Sequence, residues 1–521
     1  MNKFVFVTLP SVELERPPAA AGALVPVIKK AGLEPIVKDF TLFLFKNLNH
    51  KIIQKLERYW RGKSDVLDDE ARNALNRHLD IFITDIMSHS PTWIGISVFS
   101  RFSVVAADEF LQALKHRSNY NGDIVVGGSG ISSELNRDNN NEIGVKKSFA
   151  DHALEQKLCT YFIQGDSEES LYALLTGNTA YPGINGITPP QQILQLDDLP
   201  MNDYSLMPPT DYYPSHMPGV YITASRGCVR RCSFCNVPDL WPKFKMRSPK
   251  NIVEEIRHNA DQGAKVFQFT DSLINGDLKK WRAINRELAE LRQDERYKDI
   301  KYLGQFICRP RKQQTEEDWY WYHRGGADIV IVGFESFSPN VRNSMGKYYD
   351  NEDIDFHFEQ SSRYGIKTIC LMFVGYPNET QADHEMNLEF LHRYKKYADA
   401  GSIHMVRWGY TGMFFKSQKI NDNEIDIVLD PKFEERFSSL PASLRDVALG
   451  FSWVNRINPT LTLNERMRRR LELHKLSVKL GWPQTRSEEE LTLLIAIMKH
   501  LKNHNTVGDL SYLDELQDLH D

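Results

Sequence analysis

The sequence predicts an α/β protein in which a doubly wound, Rossmann-like sheet is followed by a partial (β/α)6 barrel and then by a mainly helical C-terminal region. Strand-like runs alternate with helical patterns in two series, and a Pro-rich irregular stretch separates them. Such alternation is typical of parallel sheets, which bind ligands at the carboxyl ends of their strands. The predicted boundaries are 1–190 for the first domain, 191–219 for the linker, 220–425 for the barrel and 426–521 for the helical region.

The first series begins with the strand KFVFVTL and an Ala-rich helix over residues 19–31, which Gly32 is expected to end. Further strands are predicted at EPIVKDF, TWIGISVF, DIVVGGSG and CTYFIQGD, with helices at FSVVAADEFLQALKHR and EESLYALLTG. Glycines let the backbone approach a bulky ligand closely. Gly127 and Gly128 follow one strand and Ser97 ends a neighbouring strand, so we predict a ligand site at these three residues.

The second series contains six strand candidates: YITASRG, KVFQFTDS, IKYLGQFICRP, DIVIVGFES, KTICLMFVGYP and SIHMVRWGY. Helical patterns such as SPKNIVEEIRHNADQG and WRAINRELAELRQ separate them. Six βα units predict a curved parallel sheet that is short of the eight units of a closed barrel. The region after about residue 430 is predicted to be mainly helical, and we interpret its basic stretch NERMRRRLELHKL as a solvent-exposed helix face.

The composition is that of an ordinary globular protein, with 41% hydrophobic and 26% charged residues. A net charge of −5 provides no whole-protein attraction to nucleic acid or to an anionic membrane. No window approaches the roughly 20 apolar residues that span a bilayer. The N-terminal MNKFVFVTLPSVELERPP lacks a cleavage site and is interpreted as a first strand rather than a signal peptide. We therefore expect a cytoplasmic protein without a nucleic-acid partner.

Half of the six cysteines fall within eight positions of YITASRGCVRRCSFCNVP, as Cys228, Cys232 and Cys235. Clustered thiols in a reducing cytosol are typical of metal sites or catalytic groups, whereas the isolated Cys159, Cys308 and Cys370 are expected to be small buried hydrophobes. The cysteine cluster follows the first strand of the second series and should lie at a carboxyl end. A structural zinc site uses four ligands. Three thiolates on a four-iron cubane leave one iron open, so the spacing favours a cluster that binds a small molecule.

The CxxxCxxC spacing, with an aromatic residue before the last cysteine, resembles the radical S-adenosylmethionine (SAM) superfamily. The similarity continues through RSP and IVEEIRH, KVFQFTDSLING, VGFESFSPNVRNSMGK and FVGYPNET. It implies a 4Fe–4S cluster on the three catalytic cysteines, with SAM bound to the open iron and cleaved to a 5′-deoxyadenosyl radical. The residues that the resemblance places around SAM are Phe234, Thr270, Asp271, Ser272, Glu335, Ser336, Gly375 and Pro377.

Arg309, at the end of QFICRP, is expected to face this site and to pair with a carboxylate of SAM or of the substrate. A structural salt bridge is the alternative. Because side chains alternate along a strand, Cys308 is then expected to pack beneath a helix. Tyr376 and Trp408 lie at strand ends, and we interpret them as core residues rather than as the wall of a substrate pocket.

The first domain resembles the cobalamin-binding domain attached to many radical SAM proteins. ERPPAAAGALVPVIKKAGLEPIVKD is similar to its opening strand and helix, WIGISVFS and IVVGGSG to its third and fourth strands, and IQGDSEESLYALLTG to its closing segment. This resemblance implies cobalamin at Ser97, Gly127 and Gly128. KDFTLFL contains no histidine where some cobalamin proteins have DxHxxG, so no protein ligand to cobalt is implied there. An ordinary turn in a domain kept for packing or substrate docking is the alternative.

Together the resemblances imply a cobalamin-dependent radical SAM enzyme that methylates an unactivated carbon. Its partners would be a small-molecule or peptide substrate and a reductase, flavodoxin or ferredoxin that donates electrons. The alternatives are hydrogen abstraction for cyclisation, oxidation or rearrangement without methyl transfer, and a non-enzymatic iron–sulfur or cobalamin sensor. A methylthiotransferase is disfavoured, because that family needs three further cluster cysteines in an N-terminal domain where this chain has only Cys159.

Overall fold

The computed structural model describes residues 2–10, 14–61, 64, 66–133, 148–213, 216–407, 425–440, 442–483 and 487–503. The chain divides into two compact units. The first unit comprises Met1–Thr223 and Lys250–Gln268, and the second comprises Ala224–Pro249 and Phe269–Asp521. Among the helices of the described ranges, none has both the length and the apolar character that a membrane span requires.

The first unit contains a five-stranded parallel sheet in the order β2-β1-β3-β4-β5, the doubly wound arrangement that the sequence predicts. Its strands are β1 (Lys3–Thr8), β2 (Glu34–Asp39), β3 (Trp93–Ser97), β4 (Asp123–Gly127) and β5 (Tyr161–Ile163). The helices of this part of the chain are α1 (Ala19–Lys30), α2 (Phe40–Asn47), α3 (His50–Trp60), α4 (Asp69–Ser88), α5 (Val104–Arg117), α6 (Phe149–Glu155) and α7 (Ser167–Leu175).

Burial of apolar residues explains these elements. The central strand β1 is almost continuously apolar and is buried over most of its length, as expected of a parallel sheet with helices on both faces. After α1, Gly32 adopts a φ of 82°, which confirms that this glycine ends the helix. The sequence analysis assigned no element between β2 and β3, where α2, α3 and α4 contribute apolar side chains to the core of the unit.

A second parallel sheet has six strands in the order β13-β12-β11-β10-β9-β6, which confirms the six strand candidates. The strands are β6 (Gly219–Ile222), β9 (Val266–Phe269), β10 (Lys301–Phe306), β11 (Ala327–Glu335), β12 (Lys367–Val374) and β13 (Ala400–Met405), and a separate antiparallel pair consists of β7 (Ser225–Arg226) and β8 (Lys245–Met246). The helices are α8 (Val237–Leu240), α9 (Pro249–Asp261), α10 (Leu278–Leu291), α11 (Glu316–Gly325), α12 (Pro339–Ser344), α13 (Asn351–Arg363) and α14 (Gln381–Tyr394). Sequential strand order of this kind is typical of a partial βα-barrel.

The C-terminal region is mainly helical, as predicted. It contains α15 (Phe433–Phe437), α16 (Ala442–Phe451), α17 (Leu463–Lys479) and α18 (Ser487–Asn503), together with the antiparallel strands β14 (Ile427–Leu429) and β15 (Trp453–Asn455).

The interpretation of NERMRRRLELHKL as a solvent-exposed face is wrong, because Arg466, Arg469 and Arg470 of α17 are buried. The guanidinium of Arg466 lies 3.6 Å from the centroid of the Trp453 ring. It also donates to the carbonyl oxygens of Phe451 and Trp453, at 3.0 and 2.8 Å. Ring stacking and backbone acceptors together offset part of the cost of burying this cation.

Candidate active site

The cysteine loop, residues 227–244, is closed at its base by the β7–β8 pair. Gly227 begins the loop with a φ of 87°, and a β-carbon at this position would lie 2.7 Å from the carbonyl oxygen of Lys243. That distance is shorter than real β-carbon contacts, so a glycine is needed where the two ends of the loop meet. The three cysteines of the sequence motif therefore lie within one closed loop.

The thiols of the cysteine loop are partly or fully shielded from solvent. Burial raises the pKa of Cys232 to about 11. The charge of Lys347 opposes this rise, and the charges of Glu335, Cys235 and Cys228 contribute to it. Burial also raises the pKa of Cys235. The three sulfur atoms are therefore close enough to influence one another. Bound metal would reverse the direction of the shift, because a positive centre stabilises the thiolate.

The thiols do not converge on one point as ligands of a single ion would. The same holds for every set of three His, Cys, Asp or Glu side chains in the part of the chain that the structure describes. A four-iron cubane makes a different demand, because each thiolate binds its own iron. Three thiols on one loop, with Cys228 and Cys235 partly accessible, fit that demand.

Contacts from the second sheet hold the cysteine loop in place. The Ser233 amide donates to the carbonyl oxygen of Met345 at 3.1 Å, and the hydroxyls of Ser233 and Tyr376 share a hydrogen bond of 2.6 Å. The Phe234 ring packs edge-on against Phe373, with 5.0 Å between the ring centroids. Residues at the ends of β12 and α12 thus hold the cysteine loop in position.

A buried ion pair joins β11 to the segment behind the cysteine loop. Lys347 Nζ donates to Glu335 Oε1 at 2.9 Å and to the Gly333 carbonyl oxygen at 2.6 Å. Glu335 has a φ of 64° at a register shift of β11, a strained conformation for a residue other than glycine. A β-carbon on Gly346 would be 3.9 Å from the Cα of Cys232, so this segment packs directly against the loop.

Lys347 is a site residue that the sequence analysis missed. It belongs to the stretch VGFESFSPNVRNSMGK, from which only Glu335 and Ser336 were selected. Burial lowers the pKa of Lys347, but the charges of Glu335 and Cys232 outweigh this effect and leave the pKa raised. The sequence offered one signal, which is that Lys347 ends a motif already assigned to the site. Its pairing with Glu335, twelve positions away, could not be predicted from spacing.

The polar residues that follow β9 occupy different environments. Thr270 is exposed and Ser272 is half-buried, whereas Asp271 is buried. Asp271 Oδ2 accepts a hydrogen bond from the Ala224 amide at 3.0 Å, just before the cysteine loop. Burial raises the pKa of Asp271 to about 6, although hydrogen bonds from Ser225 and the backbone oppose the shift. In the structure this carboxylate therefore supports the strand that enters the loop.

Arg309 lies near the cysteine loop, and its partners are backbone carbonyls. Its Nη2 donates to the carbonyl oxygens of Asn275 and Gly276, at 2.8 and 2.6 Å. Burial lowers the pKa of Arg309, and the positive charge of Arg230 lowers it further. Cys308 is fully buried and its thiol faces a backbone carbonyl of α13 at 3.7 Å, which confirms its predicted packing beneath a helix.

The GYPNET segment connects the second sheet to the C-terminal region. Gly375 has a φ of 75°, and its amide donates to Glu379 Oε2 at 3.1 Å. Glu379 Oε1 accepts from Arg469 Nη1 of α17 at 3.0 Å, and the Pro377 carbonyl oxygen accepts from Asn455 Nδ2 at 3.0 Å. In the structure these residues anchor α17 and β15 to the end of β12.

Several other selected residues are packed inside the protein. Ser336 is fully buried, and its hydroxyl donates to Asn387 Oδ1 of α14 at 3.0 Å. The isolated cysteines are buried, as predicted, and so is Tyr376. Trp408 lies outside the described residues.

The first unit has an apolar cavity beneath the carboxyl ends of β3 and β4. Its empty volume, counted together with the space that opens to solvent, is about 440 Å³, and its lining includes Ser97, Gly127 and Gly128, the three residues selected from the sequence. Apolar side chains of α1 and α7 complete the wall. Gly128 has a φ of 103°, and a β-carbon there would lie 2.5 Å from a neighbouring carbonyl oxygen. Glycine is therefore required at this edge of the cavity.

The end of β2 carries Asp39 in the stretch where the sequence lacks a DxHxxG histidine. Asp39 Oδ1 accepts from the Leu42 amide at 3.2 Å and caps α2. Its Oδ2 accepts from the Tyr212 hydroxyl at 2.9 Å. Burial raises the pKa of Asp39, although these hydrogen bonds oppose the shift. The carboxylate is thus occupied in joining β2 to the Pro-rich stretch before β6.

Comparison with known sequences shows that residues 222–391 match the Radical SAM superfamily. An uncharacterized methyltransferase of Pyrococcus horikoshii is 24% identical over 205 residues, which cover 39% of this chain and 43% of that protein. The ribosomal protein uS12 methylthiotransferase RimO of Clostridium botulinum is 29% identical over 182 residues, covering 34% of this chain and 40% of that protein. The chain thus spans about two fifths of the length of these curated relatives.

Solved structures extend the similarity to the whole fold. The radical S-adenosylmethionine methyltransferase TsrM of Kitasatospora setae, solved with tryptophan substrate and the SAM analog aza-SAM, has a TM-score of 0.64 at 17% identity. The match covers 97% of this chain and 100% of that one. The cobalamin-dependent S-adenosylmethionine radical enzyme OxsB, solved with aqua-cobalamin, has a TM-score of 0.55 at 16% identity and covers 76% of this chain and 52% of that one. Residues 222–391, about a third of the chain, thus match the Radical SAM superfamily, within a fold similar to these structures.

Proposed function

We propose that this chain is a cobalamin-dependent radical SAM enzyme that methylates an unactivated carbon of its substrate. The observation that carries the proposal is the apolar cavity at Ser97, Gly127 and Gly128 in a chain that also presents three thiols on the closed cysteine loop. A radical SAM domain alone would need only the loop. The additional cavity at strand ends of a doubly wound sheet supports a second, bulky cofactor.

The residues of the second unit fit an iron–sulfur cluster and SAM. Cys228, Cys232 and Cys235 would hold three irons of a 4Fe–4S cluster and leave the fourth open to SAM. When bound, these cofactors supply a 5′-deoxyadenosyl radical, and methylcobalamin supplies the methyl group. The chain itself orients the loop through the hydrogen bond of Ser233 with Tyr376 and through the packing of Phe234 against Phe373.

The residues of the first unit fit cobalamin. The cavity is lined almost entirely by apolar atoms and by backbone at glycines, which suits the insertion of a flat aromatic group better than that of a charged one. Ser97 offers a hydroxyl at its edge. Asp39 is engaged with α2 and Tyr212, so we infer that this strand end supplies no ligand to the cobalt.

A methylthiotransferase remains disfavoured although such enzymes occur among the relatives. Cys159 is the one cysteine between residues 1 and 227, and a second cluster in that region would need three. Radical chemistry without methyl transfer is the alternative that the product analysis below tests.

The proposal is tested by anaerobic purification, reconstitution with iron and sulfide, and addition of hydroxocobalamin. We expect about four irons and one corrinoid per chain. Replacing all three loop cysteines by alanine should remove the iron and leave the corrinoid, whereas Cys159→Ala, the matched control, should keep both. Formation of S-adenosylhomocysteine together with 5′-deoxyadenosine would support methyl transfer, because only methyl transfer produces the former. A reconstituted protein that retains iron but no corrinoid would overturn the cobalamin assignment.

A further inference from the structure

The segment that contains the cysteine loop is strongly basic in an acidic protein. Residues 224–249 carry six arginines or lysines and one aspartate, a net charge of +5. The whole chain has a net charge of −5, which leaves −10 for all other residues. The segment that holds the three cysteines therefore carries a net positive charge in a chain of net negative charge, and a local field of this kind can steer an oppositely charged partner.

Part of this charge lies on an exposed surface that also contains apolar side chains. Arg231 and Lys243 are exposed, and Arg231 Nη2 donates to the carbonyl oxygen of Pro242, the residue before Lys243, at 3.4 Å. Leu240 is 60% exposed, and Tyr348 is 64% exposed. Tyr348 lies two residues after Gly346, where a β-carbon would lie 3.6 Å from the backbone oxygen of Arg231. We call Arg231, Leu240, Lys243 and Tyr348 the basic face.

The composition of the basic face suits a transient protein partner. Exposed aromatic and aliphatic side chains surrounded by charge are typical of protein–protein contacts. Complementary charges mainly accelerate association, and complexes that transfer electrons are small and short-lived. A basic face on the cysteine loop would therefore attract an acidic partner and hold it beside the three thiols.

We propose that the basic face is the docking surface for a small acidic protein that donates single electrons. The proposal rests on the proposed function, because it assumes a cluster on Cys228, Cys232 and Cys235. One electron leaves the reduced donor, which is oxidised by one electron, and the cluster is reduced by one. No proton or covalent bond changes in this step. Because Arg231 is exposed and is followed directly by Cys232, the electron enters the chain beside its acceptor.

The test uses the reconstituted full-length enzyme and a purified acidic flavodoxin in its fully reduced form as the probe. Stopped-flow spectroscopy measures the rate of cluster reduction at low and high salt. We expect the double variant Arg231→Glu, Lys243→Glu to be reduced about ten-fold or more slowly at low salt, and the rate to lose most of its salt dependence. The matched control is Lys395→Glu, Lys396→Glu, which reverses two exposed charges at the end of α14 and should behave as the unchanged enzyme.

Dithionite separates this inference from the proposed function. A small chemical reductant needs no docking surface, so it should reduce the cluster of every variant at the same rate, and iron content should be equal. A milder variant, Leu240→Ser, should slow the flavodoxin reaction a few-fold without changing charge.

Three results would overturn the inference. The first is an equal flavodoxin rate in the charge-reversed and unchanged enzymes. The second is an unchanged enzyme that dithionite reduces but that neither flavodoxin nor a ferredoxin can reduce. The third is a charge-reversed variant that no longer binds a short single-stranded RNA but is reduced by flavodoxin at an unchanged rate. That result would assign the basic face to nucleic acid. Failure of dithionite to reduce any variant would instead refute the cluster, and with it the proposed function.

Discussion

Replacing Lys347 by methionine should destabilise the second unit, because it leaves Glu335 buried without its cation. The two charged groups are 2.9 Å apart and each side chain is only 9% exposed. At an effective dielectric constant of about 20, charges at that separation attract by about 6 kcal/mol. Desolvation offsets part of this energy, and removing one partner of a buried pair costs about 3–5 kcal/mol. We expect a loss at the lower end of this range, about 3 kcal/mol.

The thermal unfolding midpoint of the apoprotein measures this loss. A change of about 3 kcal/mol should lower the midpoint of the second unit by roughly 6 °C or more. The double variant Lys347→Met, Glu335→Gln removes both charges and should recover most of the loss. Lys395→Met, at an exposed lysine, is the matched control and should leave the midpoint unchanged.

The same variant should change the reactivity of the cysteine loop. Lys347 lowers the pKa of Cys232, so its removal should raise that pKa above about 11 and slow alkylation of the thiol at pH 8. An unchanged unfolding midpoint in Lys347→Met, or a double variant less stable than the single one, would refute the argument that this pair is buried and coupled.

Three further predictions concern single residues. Cys232→Ala should abolish 5′-deoxyadenosine formation while Cys370→Ala retains it, measured by chromatography of anaerobic reactions; continued turnover in Cys232→Ala would contradict the catalytic assignment. Gly127→Val should reduce corrinoid retention about ten-fold or more at equal iron content, because the new side chain occupies part of the cavity. The fold should accept this change, because a β-carbon at this position would lie 3.5 Å from the nearest backbone atom, an ordinary contact distance. Burial raises the pKa of Asp271 to about 6 from 3.8, so the folded state holds this proton more tightly and loses stability as pH rises through that interval. Relative to Asp271→Asn, the unchanged protein should lose about 2 kcal/mol of unfolding free energy between pH 4 and 7, and parallel pH profiles would show that the carboxyl group is not buried.

The strands of both sheets could be predicted from the sequence because their signal is local. Apolar runs such as KFVFVT and DIVIVGFE, with glycines and helical patterns between them, define parallel strands without knowledge of their partners. The spacing of Cys228, Cys232 and Cys235 likewise lies within eight positions. Residues 40–88 were not assigned, although α3 and α4 are amphipathic and follow Asn49 and Asp68, whose side chains cap them. Those caps were a usable local signal.

The tertiary structure alone decided which distant groups pair. Asp39 and Tyr212 are 173 positions apart, and Glu379 and Arg469 are 90 apart, so no periodicity or spacing relates them. Whether a charged side chain is buried likewise depends on the assembled core. The arginines of α17 lie in a stretch whose composition is typical of an exposed helix face, but the fold buries them, and hydrogen-bond acceptors of other elements contact Arg466 and Arg469. Sequence determined the elements and the close spacing of the three cysteines because these depend on near neighbours. The electrostatic environment of the site depends on groups that only folding brings together.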